Sequence, residues 1–234
     1  FISENIISDG LIRSDNKGSE SLFPLYLYKE SPSKKSNIQS MILFEPEAKY
    51  DSKNRIPNID KELYESLNRT YNKKLTPEEI LYYIYGVFYS NIYREKYAEF
   101  LKIDFPRVPF TSSYNLFVQM ADLGKQLADL HLLKSKFLEN PVSKYQGGSE
   151  NEKIEKIIYN ETKKTIHINN EKYFDNVSPD VWNYQIGGYH VLHKYLKDRK
   201  GRMLDDSRHY CKIVTAIAGT IEIQKQLDAL YSEF

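Results

Sequence analysis

The stretch NLFVQMADLGKQLADLHLL, residues 115–133, constrains the fold of this chain more than any other. Leu116, Met120, Leu123, Leu127 and Leu130 recur there at spacings of three and four, the period of one face of an α-helix. A helix this apolar on one side must be covered, and the stripe reads as packing surface rather than as the lining of a cofactor site. Its partners lie nearby in sequence. In LTPEEILYYIYGVFYS, residues 75–90, Thr76 is placed to cap, Pro77 suits the first helical position and Glu79 completes a capping box. Ile80, Leu81, Ile84, Val87 and Phe88 then fall on one core-facing side. After Ser90 and Asn91, the segment IYREKYAEFL predicts a second helix that buries Tyr93, Tyr97, Phe100 and Leu101 and stops before Pro106 and Pro109. So short a connection makes the two helices neighbours.

Around this bundle the period changes. SLFPLYLY (21–28) is rich in strand formers, with Pro24 confining it to an edge or to a strand that begins later. QSMILFEP (39–46) is a second apolar run ended by Pro46, and the polar KESPSKKSN (29–37) between them reads as an exposed loop, as does NRIPNID (54–60). Beyond the bundle, KYQGGSEN (144–151) breaks the helical pattern at Gly147 and Gly148. IEKIIY and KTIHI around Asn160, with a second turn at Asn169 and Asn170, predict a three-stranded antiparallel meander. Ser178 and Pro179 open a short helix, and Tyr189 to Lys200 forms the next. DDSRHYCKIVTAIAGTIEIQKQLDALY forms a long last one with the stripe Tyr210, Ile213, Val214, Ile217 and Ile221, extended by Leu227 and Leu230. The expected architecture is α+β in a single domain: a β and loop region over 1–75, a helical bundle over 76–140, a small meander over 150–175, and closing helices over 178–234 packed back on the bundle.

Reactive side-chain groupings are sparse in the sequence. Cys211 is the only cysteine, which excludes an internal disulfide and a four-cysteine metal site and fits a reducing intracellular compartment. It lies on an apolar stripe and reads as a core thiol. No apolar run approaches the length a bilayer requires, and FISENIISDG lacks the features of a signal peptide. The first residue is Phe1 rather than Met, so the chain is expected to be a piece of something longer. Gly187 and Gly188 stand without the rest of a phosphate-binding pattern. His190 and His193, three apart, face one helix side without a third ligand in sight, and His131 and His167 are isolated. With 33 Lys plus Arg against 32 Asp plus Glu, any polyanion contact must be local. The 20 tyrosines could supply base-stacking platforms, but the same bias follows from an A/T-rich coding sequence, and the compositional reading is preferred.

One local concentration stands out. GGYHVLHKYLKDRKGR, residues 187–202, carries five positive side chains and one acid. Two readings stand side by side: the cluster grips phosphates, or Lys197, Arg199 and Lys200 complement the negative end of a helix that stops at Gly201 while Tyr189, Leu192, Tyr195 and Leu196 are buried.

Three blocks in order carry a resemblance: FPLYLY (23–28); TPEEILYYIYGVFYSNIYREKYAEFLKIDFPRVPF (76–110) with DLGKQLADLHLL (122–133); and VWNYQIGGYHVLHKYLKDRKGR (181–202) leading into HYCKIV (209–214). Together they resemble the C-terminal specificity domain of type ISP restriction-modification enzymes, large single polypeptides that join a helicase-nuclease to an adenine methyltransferase. The resemblance covers nearly the whole chain. It implies a target-recognition domain that binds a short asymmetric sequence in double-stranded DNA, so that a neighbouring methyltransferase domain of the same polypeptide can flip out and methylate an adenine. It also implies a prokaryotic, cytoplasmic protein with no membrane partner and no catalytic or cofactor-binding residue in this segment. S-adenosylmethionine, ATP and Mg would be used by other parts of the parent, because this chain lacks an Asn-Pro-Pro-Tyr motif, a glycine-rich S-adenosylmethionine loop and a P-loop.

Affinity for a duplex comes from cations on phosphates, and sequence from polar groups on base edges. The candidate DNA contacts are Lys194, Lys197, Arg199, Lys200 and Arg202; Lys163 and Lys164 on the hairpin turn; Arg107 between two prolines, which has Asp104 as an alternative partner; and Lys144, Tyr145, Lys34 and Lys35 in polar loops. Base reading is expected from KESPSKKSN, KYQGGSEN and YNETKK. A rival reading is a helical scaffold that docks the methyltransferase to the helicase-nuclease. A third, an independent enzyme, would require His190, His193 and an acid to converge.

Overall fold

In this computed structural model the chain is described over residues 2–4, 23–28, 55–148 and 150–234. The expected loop 29–37, with Lys34 and Lys35, and the apolar run 39–46 lie outside the described residues. Strand β1 (Tyr26–Tyr28) begins after Pro24, as its sequence predicts, and pairs antiparallel with β2 (Arg55–Pro57), Tyr26 opposite Pro57. The segment 54–60, expected to be loop, thus contributes a strand. Helix α1 (Lys61–Tyr71) follows in a region expected to hold only β and loop. Asp60 caps it by accepting from the Leu63 amide, but only Leu67 and Tyr71 are buried, a stripe too thin to announce itself.

Helix α2 (Pro77–Tyr89) starts with the expected capping box: Thr76 accepts from the Glu79 amide while Glu79 accepts from the Thr76 amide. Its buried face differs from the expected one. Ile80, Tyr83, Gly86 and Val87 are buried, with Leu81, Ile84 and Phe88 only partly so. Tyrosine wins at position 83, and at 71 and 93 on the neighbouring helices, because its hydroxyl reaches the segment 107–111. Tyr83 donates to Pro109 O at 2.7 Å, Tyr71 to Thr111 O at 2.6 Å and Tyr93 to Arg107 O at 2.8 Å, so three buried phenols satisfy three loop carbonyls.

The expected single helix over 92–101 is two. Helix α3 (Asn91–Lys96), capped by Ser90, ends at Tyr97, and α4 (Phe100–Ile103) is one turn. Tyr93 is buried and Tyr97 and Leu101 partly so, but Phe100 stands exposed. Helix α5 (Tyr114–His131) buries all five residues of its stripe. It crosses α2 so closely that a Cβ at Gly124 would stand 1.9 Å from Tyr82 O, and one at Gly86 2.7 Å from Met120 O. Two glycines permit that approach.

A 3-10 turn, Lys136–Glu139, leads to the second half. Four strands, not three, form its sheet in the order β3 (Tyr145–Gln146), β6 (Tyr173–Phe174), β5 (Thr165–His167), β4 (Ile158–Asn160), all antiparallel. The added strand comes from KYQGGSEN, where two ordered residues next to glycines leave no period to read. Helix α6 (Pro179–Trp182) carries the expected Ser178 cap. Residues 185–190, partly assigned to a helix from sequence, form a hairpin of β7 (Gln185–Ile186) and β8 (Tyr189–His190), and α7 is shorter than expected, Val191–Lys197.

Two hydrophobic cores result. One gathers α1, α2, α3 and α5; the other lies under the four-stranded sheet, α6 and α7. Helix α8 (Ser207–Tyr231), 25 residues and so about 37 Å long, serves both. Tyr210, Cys211, Val214 and Ile217 enter the second core, whereas Ala216, Ile223, Leu227 and Tyr231 enter the first. The architecture is α+β, with the last helix packed back on the bundle.

Candidate nucleic-acid interface

The basic segment is built on α7, which buries Leu192 and Leu196 and turns its other side outward. Each cation has a different fate. The Arg199 guanidinium lies 3.7 Å over the Tyr195 ring and donates to Tyr195 O at 3.1 Å. Arg202 donates to Asp198 O at 3.0 Å. Both arginines therefore satisfy carbonyls near the end of α7, as a helix terminus requires. Lys194 pairs with Asp198 at 2.7 Å, and its ammonium sits 5.5 Å from the centre of the Tyr189 ring. Lys197 and Lys200 are exposed, and their ammonium groups have no hydrogen-bond or ion-pair partner among the described residues. The two readings of this cluster divide residue by residue.

The turn that holds these lysines is fixed by the backbone. Gly201, at φ +86°, donates to Ile154 O at 2.8 Å, Arg202 O accepts from the Ile154 amide, and Leu204 donates to Glu152 O. This clamp sets Lys153 opposite Met203, bringing a third exposed lysine beside Lys200 and Arg202. Sequence reasoning missed Lys153, since nothing in the spacing pairs residue 153 with residue 203.

Lys144, Lys163 and Lys164 gather elsewhere. Lys164, at φ +53°, closes the β4–β5 turn by donating to Glu161 O, and the Lys163 amide donates to Asn160 Oδ1. Lys144 and Asp175 bond each other reciprocally at the start of β3. Antiparallel pairing puts all three lysines at one end of the sheet, while the Gly201 turn joins its other end through Ile154 and Ile168. The ends are about 13 Å apart along β5. Arg107 is brought to neither group. Its side chain is 94% exposed on the connection before α5, 3.9 Å from Asp104, the alternative partner the sequence offered. Tyr145 is engaged within the protein: its hydroxyl donates to Glu152 at 2.5 Å, and Lys172 crosses its ring on the way to Glu152. Burial and the bond to Glu152 hold that phenol well above its ordinary range.

On the outer face of the sheet a histidine that stands isolated in the sequence gains partners. His167 stacks on Tyr173 with ring centres 5.1 Å apart and contacts Thr165 Oγ1 at 3.1 Å. Burial, then the charges of Lys156 and Lys163, lower its pKa. Of the other histidines considered, His190 meets Gln185 and His193 meets the edge of Trp182, so they do not share one ligand position. Cys211 is a core thiol as expected, with burial pushing its pKa up to about 11.

The tip of the hairpin completes the surface. Gly187 and Gly188 have φ +57° and +82°, and a Cβ on either would meet nothing within 4 Å. Tyr189 is 62% exposed, in contrast to the burial expected from a helical reading. The base of the hairpin borders an open polar cleft of about 430 Å³, lined by Asn91, Arg94, Asp180, Asn183, Gln185 and Gln224 among others.

The sequence match that bears on this surface spans nearly the entire chain: the family model of the type ISP C-terminal specificity domain fits residues 1–226. The chain belongs to that family. The fold of this specificity domain recurs in three solved structures. One is the restriction-modification enzyme LlaBIII bound to DNA, at 22% identity and TM-score 0.59, covering 87% of this chain and 14% of that one. Another is a cryoEM structure of a DrdV–DNA complex, at 19% identity and TM-score 0.57, covering 74% and 20%. The third is a nuclease-deletion mutant of LlaGI in complex with a DNA substrate mimic, at 21% identity and TM-score 0.52, covering 76% and 17%. The specificity domain therefore spans a fifth or less of those chains. No curated protein matches it. No helix among the described residues is long and apolar enough to cross a membrane.

Proposed function

We propose that this specificity domain recognises a particular sequence in double-stranded DNA on behalf of an adenine methyltransferase within a type ISP restriction-modification polypeptide, without contributing a catalytic group. S-adenosylmethionine, ATP and Mg belong, in this reading, to other parts of that polypeptide, and the protein works in the cytoplasm. The observation that carries the proposal is the clamped turn at 198–204. Its arginines are committed to helix-end carbonyls while Lys197, Lys200 and Lys153 are presented outward on rigid backbone. Preorganised cations on an otherwise near-neutral chain suit a phosphate backbone. That the family members LlaBIII and LlaGI were solved with DNA or a DNA mimic supports the same reading.

A second reading, a docking scaffold between methyltransferase and helicase-nuclease, has its own observation. Phe23, Phe100, Ile103 and Phe105 are exposed, with Phe23 edge-on to Phe105, a patch that suits a protein neighbour. The two readings separate in a salt series. Fluorescence anisotropy with mixed-sequence duplexes should give a slope of log K against log salt that becomes shallower by roughly 2 in the double variant Lys197→Ala/Lys200→Ala, at about 0.9 per phosphate contact. A pure scaffold predicts unchanged slopes.

A further inference from the structure

We infer that the β7–β8 hairpin is the element that reads base edges, entering the major groove as a two-stranded ribbon with Gln185, His190 and Tyr189 as its contacting side chains. The inference deepens the DNA-recognition proposal and rests on it. Both turn glycines lie in the left-handed region, the geometry of a tight two-residue hairpin turn; both are exposed, and a Cβ on either would meet nothing within 4 Å among the described residues. The tip therefore stands clear of the body with bare backbone at its end. A ribbon whose strands lie about 5 Å apart fits a groove about 12 Å wide with side chains on both faces.

Those side chains are suited to bases. Gln185 and His190 are directly opposite each other, and the Gln185 amide nitrogen lies 3.0 Å from His190 Nε2. An amide nitrogen only donates, so His190 Nε2 accepts, Nδ1 carries the ring proton, and Gln185 Oε1 stays open as an acceptor. The pair thus offers two donors, His190 Nδ1 and the second Gln185 amide hydrogen, and one acceptor, Gln185 Oε1, to a base edge. On the other face Tyr189 is 62% exposed with the Lys194 ammonium 5.5 Å from its ring centre, an aromatic plane already accompanied by a cation. The chain then runs directly into α7, which carries Lys197. Residues 185–200 place base-reading groups and phosphate-contacting groups on one short continuous unit.

Selection from a pool of randomised duplexes tests this with the protein at its full natural length. The unaltered protein should enrich a consensus. Gln185→Ala, His190→Ala and Tyr189→Ala should each lower the preference at one or more consensus positions by about tenfold or more, with affinity for mixed-sequence duplex changed less than about twofold. The double variant Lys197→Ala/Lys200→Ala should do the reverse, weakening all binding while keeping the consensus. Thermal unfolding verifies that each variant is folded, and Tyr189→Phe provides a milder replacement. If all three hairpin variants return the original consensus with undiminished preference, the hairpin is not the reading element, although DNA recognition stands. If the unaltered protein binds duplex but enriches no consensus, sequence reading by this hairpin is overturned. If it shows no salt-dependent binding at all, the DNA reading and this inference fall together.

Discussion

Acidification from pH 7 to pH 4 should weaken the helical core through one side chain. His131, at the end of α5, places Nδ1 2.8 Å from the Tyr85 hydroxyl and Nε2 3.0 Å from Thr220 Oγ1. The Thr220 proton is committed to Ala216 O at 2.7 Å, so Thr220 can only accept from the ring, and the ring proton sits on Nε2. Nδ1 then accepts from Tyr85, whose phenol burial keeps protonated. A neutral imidazole is satisfied at both nitrogens, whereas a second proton would point at the Tyr85 proton. Burial, aided by the charge of Arg94, lowers the His131 pKa from 6.5 to about 4. Because the folded value lies below the unfolded one, the stabilisation is complete above about pH 6.5. It is lost as the pH falls toward 4, where the folded ring also protonates. That interval corresponds to about 3 kcal/mol. Urea unfolding of the unaltered protein and of His131→Asn, whose amide does not titrate, should show the stability gap between them shrinking by about that amount from pH 7 to pH 4. Parallel profiles would refute the buried neutral histidine.

Two further substitutions probe the packing. Gly124→Ala should destabilise by about 2 kcal/mol or more despite a gain of about 1 kcal/mol in helix propensity, because the new methyl meets the Tyr82 carbonyl; Gly148→Ala, with open space around it, should be neutral in the same thermal melts. Asp228 accepts from Ser90 Oγ, Asn91 Nδ2 and the Ile92 amide, tying α8 to the start of α3, so Asp228→Ala should cost about 2 kcal/mol and lower Tm by about 5 °C, with Asp228→Asn less harmful.

Parts of the candidate interface are legible in the sequence. The concentration of charge in KDRKGR is local, and so were its two rival readings. The structure divides them by partner: Arg199 and Arg202 each find a carbonyl four residues back, and Lys197 and Lys200 find none among the described residues. The hairpin was not legible, because two residues per strand give no alternation to detect, and Tyr189 and His190 extend the apolar period of α7 well enough to pass as its first turn.

The long helices were readable in the chain from the α5 stripe, the α2 capping box and the run of α8, and the short α6 from its Ser178 cap, since helical period and caps are set by residues three or four apart. The tertiary structure alone settled which tyrosines are core: Tyr71, Tyr83 and Tyr93 each reach a loop carbonyl 14 to 40 residues away, and Tyr85 reaches the His131 ring. It also decided the close crossing of α2 and α5 at two glycines, the sharing of α8 between two cores, and the arrival of Lys153 beside the basic turn. All four depend on distant segments meeting, and the backbone hydrogen bonds and contacts that bring them together leave no local pattern in the chain.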